Sequence, residues 1–300
     1  MARGNTGTKS GPRSGATEKS VAKKEAKQDV AIYDYGEDAG GGFDTMERGD
    51  FAIPFLYLLQ SNSPIVERGE ATAGAIMNTV DNTLYPSIRA KEEPGIFFVP
   101  CYSEHLVVEW RPQDEGGGLV AQHATDSAVV LEAKQRAKKF NELKSPDGND
   151  LVDTYYCYGV NIKDPEDWSN CEQTIIAWNS TKIKPYRQWM TRMKTMRVPT
   201  PGGGRITPPM WAHLWRITTV MQTKNNKNFY NFEINFAGDN AADSRIPPSD
   251  PLFIVAKDLN ALAKEGQVKA DTTNLTRDAG GSEPDDDVGG EVIDGEKIPF

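Results

Sequence analysis

WAHLWRITTVMQTKNNKNFYNFEINFA, residues 211–237, is the stretch on which the fold turns. Two β-branched and aromatic runs, 211–222 and 228–237, flank Lys224-Asn225-Asn226-Lys227. Asparagine tolerates the left-handed backbone that a two-residue turn needs, so the stretch reads as an antiparallel hairpin with a cation on each shoulder. Similar strand signals lie upstream at 51–60, broken at Pro54, and at 74–80, 95–102, 106–111, 152–162 and 173–179. Gly116-Gly117-Gly118 marks a turn. Three helical patterns accompany them. Residues 126–142 start at Asp126 or Ser127, a second helix opens at Pro185 and runs to Met196, and 250–265 starts at Ser249 and stops before Gly266. About nine short strands with a few helices predict a mostly β, α+β fold. By fold analogy alone, the expectation is an OB-fold-like antiparallel barrel elaborated by insertions.

The two ends of the chain differ from this body. Residues 1–30 are rich in Gly, Ser, Thr, Ala and Lys without apolar periodicity, and residues 271–300 are acidic with breaks at Gly280-Gly281 and Gly289-Gly290. Neither composition buries enough surface to offset the entropy of ordering it, so both are expected to be disordered. That leaves one folded region, residues 31–270. No apolar run reaches the 18 or so residues of a membrane span, and no signal sequence opens the chain, so a cytoplasmic protein is expected.

The net charge of −9 conceals a segregated distribution. Residues 1–29 carry +4, residues 30–172 carry −14, residues 233–270 carry −2 and residues 271–300 carry −7. The intervening residues, 173–232, carry +10: ten Lys or Arg and no Asp or Glu. The same segment holds Trp178, Tyr186, Trp189, Trp211, Trp215, Phe229, Tyr230 and Phe232. Cations that follow phosphates, interleaved with rings that accept unstacked bases at about 1–3 kcal/mol each, are what a single strand of nucleic acid needs. About half of such rings face the core in a half-buried sheet, and the rest are available for stacking.

Catalytic signatures are not found. Gly202-Gly203-Gly204-Arg205 lacks the Gly-Lys-Ser/Thr of a phosphate loop, and Asp147, Asp150 and Asp153 miss the spacing of a calcium loop. Cys101, Cys157 and Cys171 are odd in number without a CxxC pair, which favours buried reduced thiols over disulfides. Cys101 and His105 have zinc-like local spacing, and with Cys157 and Cys171 they stay open as a metal alternative. No enzyme activity, cofactor or resident metal is expected.

The last three residues, Ile298-Pro299-Phe300, follow Asp285-Asp286-Asp287 in the acidic tail. This ending resembles the carboxy-terminal tip of bacterial single-stranded DNA-binding proteins, although Gly295-Glu296-Lys297 intervenes where acids run into the tip in those proteins. Ile53-Pro54-Phe55-Leu56, Phe97-Phe98-Val99-Pro100-Cys101-Tyr102, Val108-Glu109-Trp110-Arg111 and Trp189 in a basic helix resemble single-stranded DNA-binding proteins of tailed bacteriophages. The resemblance implies a non-enzymatic protein that coats single strands in replication, recombination and repair, with Asp285, Asp286, Asp287, Ile298, Pro299 and Phe300 recruiting partner enzymes.

Together these readings predict a sequence-independent binder of single-stranded DNA, with self-association left open. The expected stacking residues are Trp178, Tyr186, Phe229 and Tyr230; the expected phosphate contacts are Lys182, Lys184, Arg187, Arg192, Lys194, Arg197, Arg216, Lys224 and Lys227. Two alternatives share parts of this pattern: a strand-annealing recombination protein and a non-enzymatic structural or interaction protein of a phage particle.

Overall fold

The computed structural model describes residues 41–46, 52–85, 95–137, 142–164, 167–224 and 226–272. The basic arm 1–30 and the tail from residue 273 onward, with Asp285, Asp286, Asp287, Ile298, Pro299 and Phe300, lie outside the described residues. Residues 41–46 make a turn closed by the Met46 amide on the Phe43 carbonyl (3.0 Å) and belong to a unit that ends at Met46. All other described residues belong to the unit Glu47–Phe300.

That unit begins with β1 (Ala52–Ile53) and β2 (Leu56–Leu58), a short helix α1 (Pro64–Glu67), β3 (Ile76–Asn78) and β4 (Leu84–Tyr85). A long strand β5 (Ile96–Trp110) follows, then β6 (Leu119–Ala124), helix α2 (Ala128–Arg136) and the long pair β7 (Asp150–Asp164) and β8 (Asp167–Asn179). Helix α3 (Ile183–Thr195), the small hairpin β9 (Val198–Pro199) and β10 (Arg205–Ile206), the hairpin β11 (Trp215–Lys224) and β12 (Lys227–Phe236), helix α4 (Pro251–Lys264) and β13 (Lys269–Ala270) complete it. The expected hairpin forms from Trp215 to Phe236, closed by the pair Lys224 and Lys227 with Asn226 at φ 60°, whereas Met210–Ala212 makes a 3-10 turn ahead of it. Helix α4 is capped by Asp250, whose side chain accepts the Leu252 amide (2.9 Å), and not by Ser249.

The principal sheet has six strands in the order β12-β11-β5-β7-β8, with β6 beside β5. β5 organises it. One edge of β5 pairs with β7 from Phe97 opposite Ile162 to Trp110 opposite Asp150. Its other edge takes β11 at Ile96–Phe98 and β6 at Leu106–Trp110. In the interval between those partners, Asn260 Nδ2 of α4 donates to the Cys101 carbonyl (2.8 Å). The sequence suggested two strands, 95–102 and 106–111, where there is one. A bulge between Pro100 and Tyr102 absorbs the proline, which has no N–H to give the ladder, and the polar Ser103-Glu104-His105 continues the strand instead of turning it.

Alternate residues of these strands supply two different cores. Val99, Cys101, Tyr156, Tyr158, Val160 and Ile175 face one side, where Leu252, Ala256 and Leu259 of α4 cover them. Phe98, Cys157, Ile176, Trp178, Trp215 and Ile217 face the other, beneath Tyr186, Trp189 and Met193 of α3. A third, smaller cluster packs Val130 and Ala133 of α2 against Val107 and Leu151.

The outer strands β8 and β12 do not pair with each other, so the expected closed barrel is corrected to an open sheet. Residues 52–85 meet both edges instead. At β8 the Ile175 amide donates to the Pro54 carbonyl (2.9 Å), and Glu172 accepts from Tyr85, Asn161, Asn78 and Lys163. At β12 the Gln60 side-chain amide bonds both the amide (2.8 Å) and the carbonyl (3.0 Å) of Tyr230, imitating a ladder partner. Side-chain and single-bridge closure of this kind leaves the strand order of an OB barrel unfulfilled among the described residues.

Gly159 shows how tightly the α3-side core is filled. A Cβ there would lie 2.2 Å from Phe98 Cζ and 2.5 Å from the Val99 carbonyl oxygen. The Phe98 ring, fully buried, leans diagonally across the strand into the space the glycine leaves. Gly159→Ala is expected to lower stability by about 3 kcal/mol, seen as a reduced urea midpoint with an unchanged m-value.

Candidate nucleic-acid interface

Helix α3 follows from its sequence. Tyr186, Trp189 and Met193 recur at helical spacing and are buried, while Lys184, Arg187, Gln188, Thr191, Arg192 and Lys194 occupy the outward face. No carboxylate interrupts that face. Beside it lies the β11–β12 hairpin, in which Val220, Gln222 and Lys224 stand opposite Asn231, Phe229 and Lys227 on one surface. Thr219, Met221, Phe232 and Tyr230 take the other surface.

Between α3 and the hairpin runs a groove of about 880 Å³. α3 contributes Lys184, Gln188, Trp189 and Arg192; the hairpin contributes Gln222, Lys224, Phe229, Asn231 and Glu233. Two contacts organise the walls. Asn231 Nδ2 donates to the Thr181 carbonyl (3.1 Å) and to Gln222 Oε1 (3.2 Å), which joins β12 to the lead-in of α3. The Arg192 guanidinium sits 4.2 Å from the Phe236 ring centroid and 5.4 Å from that of Trp215, so its cation is positioned while it stays exposed. The groove therefore holds three cations against one carboxylate, Glu233, with a half-buried Phe229 ring in its wall. Such a surface can receive a chain of phosphates and one or more flat, apolar rings.

Of the residues singled out from sequence, Lys184, Arg192, Lys224 and Phe229 come together here. Trp178 and Tyr186 do not: they are 0% and 4% exposed in the α3-side core, where Trp178 packs on Tyr186, Trp189 and Phe232. Their expected stacking role is thereby corrected, because a ring with no accessible face cannot accept a base. Lys182 is also buried, its Nζ 5.9 Å from the Tyr57 ring centroid. Tyr230 points to the opposite hairpin surface from Phe229, as strand alternation requires. Arg187 lies on the other flank of α3, where it donates to the Tyr155 hydroxyl (3.3 Å). Arg197 is bound to Thr207 Oγ1 (2.6 Å) and to the carbonyls of Lys194 and Met196. Lys194 and Lys227 are exposed outside the groove lining, and Arg216 is half-buried towards the β5 end of the hairpin.

Gln188, Gln222, Asn231 and Glu233 line the groove without having been picked from sequence. Stepping by two from Lys224 would have found Gln222, and stepping by four from Lys184 would have found Gln188. The metal alternative gains nothing from geometry. The Pro100–Tyr102 bulge leaves Cys101 in the α4-side core while His105 stacks on Tyr155 at the α3 side. Burial pushes the Cys101 and Cys157 thiols up, disfavouring the thiolate that a metal ligand requires. Among the described residues, no three His, Cys, Asp or Glu side chains gather as a metal site.

Trp178→Ala is accordingly expected to lose about 3–5 kcal/mol in guanidinium unfolding. Lys184→Ala, at an exposed position, should fall within about 0.5 kcal/mol of the parent.

A family model described as Pam3 phage gp34-like protein matches residues 22–269. Comparisons with curated proteins and with solved structures returned no match. No helix among the described residues is long and apolar enough to cross a membrane.

Proposed function

We propose that this chain, which belongs to the Pam3 phage gp34-like protein family, is a non-enzymatic, sequence-independent binder of single-stranded DNA that serves replication, recombination or repair. The observation that carries the reading is the groove itself. Lys184 and Arg192 from one element meet Lys224 and Phe229 from another, about forty residues away, along a wall of amides and hydroxyls. The lining favours a flexible strand over duplex DNA, because Phe229 and the uncharged amides match exposed bases that a duplex hides. No closed barrel is required: α3 supplies one wall and the hairpin the other.

The reduced number of groove cations changes the expected electrostatics. Three to five phosphate contacts correspond to a log-log salt slope of about −2 to −3.5, at roughly 0.7 per contact on single strands. Fluorescence titration of labelled oligo-dT at several salt concentrations measures it. The double charge reversal Lys184→Glu with Lys224→Glu should weaken binding by about tenfold or more at low salt and flatten the slope. Absence of any oligo-dT binding at low salt would remove the reading and favour a structural or interaction role in a phage particle.

The acidic tail belongs to the same reading. With a charge of −7 over residues 271–300, it complements the positive groove and would recruit partner enzymes through Ile298-Pro299-Phe300. A chain lacking residues 278–300 should bind oligo-dT more tightly than the full chain, most clearly at low salt, since screening beyond about 10 Å suppresses the competition near 0.1 M. Equal affinities at low salt would show that the tail does not compete for the groove.

A further inference from the structure

The far flank of α3 carries an arrangement that the groove does not use. His105 of β5 and Tyr155 of β7 are cross-strand partners, and their rings stack with centroids 4.1 Å apart and planes within 11°. Tyr155 stacks in turn on Tyr186 of α3 (4.7 Å, 29°), whose ring rests against the buried Trp178. The stack is held from several sides. His105 Nε2 donates to Asp153 Oδ1 (2.6 Å), Tyr186 and Ser103 share a hydroxyl hydrogen bond, and Arg187 donates to the Tyr155 hydroxyl with its guanidinium carbon 5.9 Å from the Tyr155 ring centroid. Yet the His105 side chain at the outer end of the stack is 40% exposed.

We infer that His105, backed by Tyr155 and flanked by Arg187, is a second nucleobase-stacking station, which takes an unstacked base of the same strand that occupies the groove. The inference rests on the reading of the groove as a single-strand site and extends it. Four features support it. The stack is tied by hydrogen bonds, so a base landing on His105 meets a ring already oriented by Tyr155 and Asp153, with less side-chain entropy to lose than an unheld ring. The exposed member is a flat ring with a cation beside the stack, the combination that accepts a base and an adjoining phosphate. At about 100° per residue, Lys184, Gln188 and Arg192 form the groove flank of α3 while Arg187 and Lys194 lie on the opposite flank. The outward face between the flanks contains no carboxylate, so a strand leaving the groove can cross α3 over cations and hydroxyls to reach His105. Two acids next to His105 in the sheet already have partners. Asp153 is engaged by His105, and Glu104 accepts from Tyr158 on the other side of the sheet.

This station lies outside the acid-free segment, within residues that carry a net negative charge, which is why charge patterning alone passes over it. Its role is positional: it would lengthen the site beyond what the groove spans.

The test is a length series of oligo-dT, from about five to about fifteen nucleotides, spanning the range of site sizes for single-strand modules. Full-length protein is compared with His105→Ala, Arg187→Ala and Lys184→Glu. His105→Ala should weaken the longer oligonucleotides by about fivefold or more while leaving the shortest unchanged, and Lys184→Glu should weaken all lengths. The urea midpoint of His105→Ala is measured alongside, and its unchanged binding of the shortest oligonucleotide reports an intact groove, so a loss confined to longer oligonucleotides would not be lost folding. Photocrosslinking with iodouridine-substituted oligonucleotide adds an independent readout: a crosslinked peptide from β5 or β7 supports the station. If the parent binds oligo-dT but His105→Ala matches it at every length, with crosslinks confined to α3 and β12, the station is overturned and the groove stands. If the parent binds no oligonucleotide, both readings fall.

Discussion

Burial of both faces of β5, β7 and β8 is the constraint on which the rest of this structure depends. A strand with one solvated face needs only one apolar set, but here consecutive side chains must satisfy two cores, one under α4 and one under α3. Register then has no freedom to slip, since a one-residue shift would exchange the contents of the two cores. The bulge between Pro100 and Tyr102 changes the alternation once, placing Cys101 and Tyr102 on the α4 side before Ser103 and His105 resume on the α3 side. Gly159 completes the accommodation by leaving room for Phe98.

The site is a consequence of the same packing. Trp178, Trp189 and Trp215 fill the space beneath α3 and thereby hold the helix at the height where its outward face and the β11–β12 hairpin form a groove. The aromatic residues that sequence offered as binding groups are in the main the residues that position the groove's walls. Arg192 joins the two roles, with a charge offered to solvent and a guanidinium lying on Phe236 and Trp215. The small sheet of β2, β3 and β4 contributes from outside. Glu172 gathers hydrogen bonds from it at the β8 edge, and Gln60 occupies the β12 edge at Tyr230.

Local patterns account for much of the secondary structure. The 211–237 hairpin was legible because its turn chemistry and its flanking runs agree, and α3 was legible because Tyr186, Trp189 and Met193 repeat at helical spacing. The division of β5 into two strands was an error of local reading: Pro100 and the polar Ser103-Glu104-His105 imitate a break, whereas long-range pairing with β7 from Phe97 to Trp110 carries the strand through. β6 escaped notice because Leu119, Ala121 and His123 alternate with residues that pack on little. Of the phosphate and stacking residues named from composition, four line the groove. The others scatter because charge content says nothing about which face a residue takes, and because Trp and Tyr satisfy a core as readily as a ligand.

By itself, the sequence determined that the chain is mostly β, that its positive charge is concentrated in residues 173–232 without a single carboxylate, and that its acidic end is set apart from that segment. Composition and short-range periodicity encode these properties, and the charge distribution among them is the same whatever contacts the fold makes. Only the tertiary structure decided that the sheet stays open, that Trp178 and Lys182 are interior, and that Lys184, Arg192, Lys224 and Phe229 share one groove. It also decided that His105 lies on Tyr155 at the other flank of α3. Each of these depends on strand pairings and ring contacts between residues tens of positions apart, and the burial of two faces at once selects among them.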